Sequence, residues 1–154
     1  MPRGKPPFVL AADVGGTNLR CGLVSSRGKV LRWREQGSRD GETPAGMVKL
    51  LAASFRDLLA QHGWRGRVPP IAIAVAGGVD PSRGVVTQCP QFQLWKNFAL
   101  GKRLSKELKT QVLVRNDVDC ALLGEVWQGA ARGAKSAMAL WMGTGLGGAL
   151  YLSG

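Results

Sequence analysis

Four short stretches of the chain carry residue types that can do chemistry. The first is Asp13-Val14-Gly15-Gly16-Thr17-Asn18-Leu19-Arg20. Apolar runs at residues 8–12 and 21–24 flank it and suit strands, so the stretch reads as a tight strand–turn–strand connection. Gly15 and Gly16 can take positive φ and carry no side chain to block a close ligand. Their amides, with the Thr17 hydroxyl, make a small concave donor site for phosphate. Asp13 sits at the mouth, placed to hold a cation or its water shell beside that phosphate. A plain glycine hairpin with a polar tip fits the same residues, and short motifs of this kind carry real false-positive risk.

The second stretch is Gly77-Gly78, which ends an almost wholly apolar run at 71–76, as in a strand buried on both faces. Loops at the carboxyl ends of such strands are favoured ligand positions. The third is Asn116-Asp117, where another buried-type run at 112–114 gives way at once to a helical pattern. Asp117 reads either as the helix N-cap or as a carboxylate exposed at the ligand edge of a sheet. The fourth is Gly143-Thr144-Gly145-Leu146-Gly147-Gly148, a literal match to G-x-G-x-x-G. A dinucleotide site needs a helix next and an acidic residue about 20 positions on. Here Ala149-Leu150-Tyr151-Leu152 follows and reads as a strand, which rejects that site. The stretch 129–136 resembles a P-loop, but Ala134 separates Gly133 from Lys135, and the next element again reads as a strand. What remains is a second strand–glycine–strand turn with a threonine, Thr144, like the first at Thr17. Two such turns suit two donor sites that grip a phosphate chain from opposite sides.

The elements that must position these stretches follow from patterning. A third strand is expected at 28–33, completing an antiparallel run of three. Thr43 is the expected N-cap of a helix with Pro44 at its first position and Met47, Leu51, Phe55, Leu58 and Leu59 on its buried stripe. Gly63 ends it, and His62 there reads as a surface residue complementing the helix dipole. Residues 85–87 suit a short strand, 97–108 a helix with Leu100, Leu104 and Leu108 on one face, and 137–142 a strand. The helix after Asp117 should end at Gly129 and Gly133. The order is that of an α/β three-layer domain of βββαβαβα type.

Composition narrows the class. The 154 residues are 45% hydrophobic and 20% charged, ordinary for one globular domain with its own core. No apolar run approaches the ~20 residues that cross a bilayer, and the first residues lack a signal-peptide pattern, so a cytoplasmic location is expected. Cys21, Cys89 and Cys120 form no paired spacing, and His62 is the only histidine, so no zinc site assembles from this chain. The net charge of +11 raises nucleic acid as a partner. The basic residues are scattered, however, and aromatics do not interleave with them, which favours a solvated surface that also attracts anionic substrates.

In combination the motifs resemble the ROK family (repressors, open reading frames and sugar kinases), within the RNase H-like, actin-like ATPase group. The matching pieces begin at Asp13, at Ala76-Gly77-Gly78-Val79-Asp80-Pro81, at Asn116-Asp117 and at Gly129. They fall in the family's order and cover nearly the whole chain. The resemblance implies an ATP- and Mg2+-dependent kinase of a hexose, glucose first. It implies that Asp13, Gly15, Gly16 and Thr17 form one ATP-phosphate motif and Thr144, Gly145 and Gly147 the other, with Asp13 near the magnesium. Gly77, Gly78 and Asn116 would contact the sugar, and Asp117 would be both sugar contact and catalytic base. Family members continue for about as much sequence again, with a structural zinc and most of the nucleotide pocket in a second lobe. Residues 1–141 would then be the amino-terminal lobe and 142–154 the first hairpin of the second. A homodimer is implied for a full-length chain. Ala76-Gly77-Gly78 replaces a more usual proline-containing version of that piece, and Trp95 reads as a packing residue near the sugar loop. A repressor of the same family is disfavoured because a helix-turn-helix does not fit ahead of Asp13; a non-catalytic fragment of a truncated gene is a third reading, and these 154 residues alone are expected to be inactive.

Overall fold

The computed structural model describes residues 7–142 and 146–152. Its centre is a five-stranded mixed sheet. Strands β1 (Phe8–Val14), β2 (Asn18–Ser25) and β3 (Val30–Gly37) run antiparallel in succession, and β4 (Ile71–Val75) and β8 (Val112–Asn116) extend the sheet parallel to β1, giving the order β3-β2-β1-β4-β8. The period-2 pattern fixes the register. Phe8, Leu10, Ala12 and Val14 point into the core, while Val9, Ala11 and Asp13 face the other way.

Helices α1 (Pro44–Gln61) and α2 (Leu100–Leu108) cover the inner face. Thr43 caps α1 as expected: its hydroxyl accepts from the Gly46 amide at 3.0 Å, with Pro44 following it. Met47, Leu51, Phe55 and Leu58 have no exposed surface, so the helical stripe is fully buried. Helix α3 (Asp117–Gln128) lies on the opposite face; its buried Leu122 is outside the main core cluster. The result is the expected three-layer α/β arrangement.

Between β4 and α2 the chain forms a small antiparallel sheet of β5 (Gly78–Asp80), β6 (Val85–Gln88) and β7 (Lys96–Phe98). The expected helix at 97–108 is therefore too long at its start. Phe98 pairs with Val86 and buries its ring, and Asn97 takes φ 50°, which no helix continues through. The last described elements, β9 (Ser136–Met142) and β10 (Leu146–Leu152), pair with each other. Strand β10 starts before the expected 149, so Gly147 and Gly148 are strand residues opposite Trp141 and Leu140, not turn residues.

Candidate active site

The carboxyl ends of β1, β4 and β8 lie side by side, with Val14 opposite Val75 and Val75 opposite Asn116. Every described candidate residue gathers at this edge. Asp13 is the next-to-last residue of β1, Gly77 and Gly78 follow β4, and Asn116-Asp117 join β8 to α3.

The first glycine turn closes through the Gly15 amide, which donates to the Asn18 carbonyl at 3.0 Å. Positive φ is not what the glycines supply, contrary to the sequence expectation: the left-handed residue at this edge is Gly77, at φ 121°. Close approach is the reason instead. A β-carbon on Gly15 would lie 3.1 Å from the Asn18 carbonyl oxygen, and one on Gly16 would lie 2.5 and 2.8 Å from the Gln91 side chain. Ser38, fully buried, donates from its hydroxyl to the Gly16 carbonyl at 2.8 Å, and its amide donates to the Thr17 carbonyl. Gly16 and Thr17 themselves face solvent, so the turn is an exposed tip on a fixed base.

Asp13 lies opposite Arg20 in the β1–β2 ladder, and Arg20 Nη1 is 3.5 Å from its carboxylate. Arg20 also donates to Glu35 at 2.7 Å, and Asn18 donates to the other Glu35 oxygen at 2.8 Å. Sequence reading assigned no role to Arg20, Glu35, Ser38 or Gln91. Only the charge pattern of neighbouring strands could have pointed to the first two. Partial burial pushes the Asp13 carboxyl above its ordinary range, Arg20 opposes the shift, and the negative charge of Asp117 adds to it. The two carboxylates therefore feel each other.

Asn116, not Asp117, is the N-cap of α3. Asn116 Oδ1 accepts from the Val118 and Asp119 amides at 2.8 and 3.2 Å, and its Nδ2 donates to the Gly77 carbonyl at 3.0 Å. This corrects the capping alternative for Asp117. Asn116 has extended backbone angles and so stands one residue ahead of the helix, where a side chain can reach back to the free amides. Asp117 is the first helical residue; one oxygen accepts from the Val118 amide at 3.0 Å, and the residue is half-buried at the carboxyl edge of the sheet.

From the other side, Gly147 of β10 approaches α3 so closely that a β-carbon there would lie 2.6 Å from Val118 Cγ2. Gly147 thus lies against the residue that follows Asp117. Its Gly143, Thr144 and Gly145 lie outside the described residues. Trp95 is fully buried, stacked on Phe92 at 4.5 Å and edge-on to Phe98 at 5.0 Å, as a packing residue should be. His62 meets the Phe8 ring edge at 5.0 Å.

The chain matches the ROK family over residues 9–154. It belongs to that family. A beta-glucoside kinase of Klebsiella pneumoniae is 33% identical over 143 residues, covering 93% of this chain and 46% of that protein. A glucokinase of Thermotoga maritima is 32% identical, covering all of this chain and again 46% of that protein. The crystal structure of a ROK family glucokinase from Streptomyces griseus, in complex with glucose and AMPPNP, superposes with a TM-score of 0.83 at 27% identity, over 95% of this chain and 45% of that one. The chain spans about half the length of the curated relatives it matches. Its fold is that of the ROK sugar kinases. No helix among the described residues is long and apolar enough to cross a membrane.

Proposed function

We propose that the complete protein transfers the γ-phosphoryl group of ATP to a hydroxyl of a hexose, with glucose the first candidate, and that this chain supplies the amino-terminal lobe. Residues 1–141 are that lobe, and 142–154 begin the second. The observation that carries the reading is the position of Asp117: at the carboxyl end of β8 just after the Asn116 cap, with its charge acting on Asp13 and with Gly147 against the adjoining Val118. A sugar hydroxyl is a poor nucleophile, and a carboxylate within hydrogen-bond reach takes its proton as transfer proceeds. Asn116 keeps one amide hydrogen beyond its bond to Gly77, and with Gly77 and Gly78 it lines the acceptor side.

The residues present fit ATP and a divalent cation. A β-carbon at Gly16 would strike the Gln91 side chain, and the half-exposed Asp13 carboxylate, beside Arg20 at 3.5 Å, offers one oxygen ligand to a cation at the end of β1. Gly15, Gly16 and Thr17 would hold one part of the phosphate chain, and Thr144, Gly145 and Gly147 another. Asp13 would hold magnesium directly or through water. Bound magnesium supplies charge neutralisation at the transferring phosphoryl group. A structural zinc, where the complete protein has one, belongs to the part beyond this chain. We place the protein in the cytoplasm, as a homodimer when complete. The test is a coupled ADP-release assay on the complete protein with ATP, magnesium and a panel of hexoses. Hexose-dependent release at ~1–100 s⁻¹ is expected; release independent of every hexose rejects the kinase reading.

A further inference from the structure

One loop touches both halves of the candidate site. Residues 89–91 leave β6 towards β7. A β-carbon at Gly77 would lie 3.1 Å from Cys89 Cα and 3.2 Å from Pro90 Cδ, and one at Gly16 would strike Gln91 Cβ and Cγ. The loop is thus wedged between the acceptor-side glycine and the phosphate-side glycine. Gln91 is at the tip of that wedge, with its stem resting on Gly16.

Its carboxamide is oriented by a second contact. The Cys89 thiol donates to Gln91 Oε1 at 3.4 Å. Burial pushes that thiol above its ordinary range, so it stays protonated and able to donate. With Oε1 engaged there, Nε2 faces away, and among the described residues nothing accepts from it. The carboxamide therefore lies between the Cys89 thiol on the Gly77 side and the Gly16 turn. Gln91 remains exposed at that point. An exposed donor with a fixed stem and a fixed acceptor end is preorganised for a ligand acceptor group.

We propose that Gln91 is a further substrate-positioning residue: its stem fixes the Gly16 turn, and its Nε2 donates to a hydroxyl of the acceptor sugar. The inference rests on the kinase reading above. It makes Gln91 the contact that holds the acceptor in register with the phosphate turn, so that the reacting hydroxyl lies between Asp117 and the phosphoryl group.

The experiment is a ¹H–¹⁵N titration of the complete protein with glucose, mannose, N-acetylglucosamine and cellobiose, and separately with magnesium–AMPPNP. The Gln91 side-chain amide is identified by its loss in Gln91→Ala. At least one sugar is expected to shift that amide together with the Gly78 and Asn116 amides. Gln91→Ala should weaken that sugar roughly three- to tenfold, the effect of one lost hydrogen bond. Gln91→Glu keeps the stem on Gly16 and removes the donor, and it should weaken the sugar as much. Normal sugar affinity in Gln91→Glu, or a Gln91 amide unmoved while Gly78 and Asn116 shift, overturns the inference and leaves the kinase reading standing. If no sugar and no nucleotide moves any of these amides, both fall.

Discussion

Two hairpins of this chain have the same design in sequence and opposite fates in space. β1–β2 and β9–β10 are both apolar strands joined through glycine-bearing stretches. In the first, Leu10, Leu19 and Leu23 have no exposed surface. In the second, Leu140 is 64% exposed, Leu146 74% and Met142 88%. The difference is in the neighbours. β1 has strands on both sides and α1 and α2 over its core face. β9 and β10 pair only with each other among the described residues and touch α3. A strand's apolar face stabilises a fold only where another layer removes it from water. The Gly15-Gly16 turn on β1–β2 therefore has a rigid base, whereas Gly147 of β10 reaches the rest of the fold through Val118 of α3.

The largest expected effect is at the junction of the two regions. In the complete protein, Asp117→Asn should lower kcat by ~10²–10⁴ while hexose binding persists. Asn116 keeps the cap, so the circular-dichroism melt should stay near that of the parent. Near-normal turnover would remove Asp117 from the chemistry.

Next comes a direct test of the comparison by chemical denaturation. Leu10→Ala should cost about 2–5 kcal/mol, as for a fully buried leucine that leaves a cavity. Leu140→Ala on the open hairpin should stay within ~0.5 kcal/mol. Equal losses would mean that both hairpins are buried alike in solution.

Gly16→Val should weaken magnesium–AMPPNP binding roughly tenfold, about 1.4 kcal/mol, with the fold retained. The cause is collision with Gln91 and the blocked approach of a phosphate, not backbone strain. Unchanged nucleotide affinity would detach this turn from the phosphate site.

The smallest effect concerns Cys21, whose burial pushes its thiol up to about 12 from 9.0. A raised folded value means the native state holds the proton more tightly. Its stability contribution is complete below pH 9 and is lost as pH rises towards 12. By pH 10 the loss should be about 1 kcal/mol. Cys21→Ala should flatten that part of the pH–melting curve. An identical alkaline decline in the variant would show that Cys21 is not its source.

Much of the fold was legible because it rests on local rules. Thr43-Pro44 starts α1 where cap and proline chemistry say it should, and β1 alternates as its burial requires. The runs at 71–76 and 112–114 are strands as expected but are not buried on both faces, since Ala72 and Leu113 are exposed. The start of α2 was not legible. Phe98 belongs to a strand because Val86, from another part of the chain, pairs with it.

The sequence by itself determined which residues could do chemistry and in what order they occur: Asp13 with Gly15, Gly16 and Thr17, then Gly77-Gly78, then Asn116-Asp117, then the last glycine stretch. Spacing of residue types is enough for that, since turns, caps and strand ends are local. Only the tertiary structure decided what each one does there. It gave the cap to Asn116 and left Asp117 as the first helical residue. It set Arg20 beside Asp13 and Glu35 on Arg20, and it laid Gln91 on Gly16. These are contacts between residues distant in the chain, brought together by the parallel strands β1, β4 and β8 ending on one edge. No local propensity encodes which distant side chain will arrive at a given glycine. Packing does.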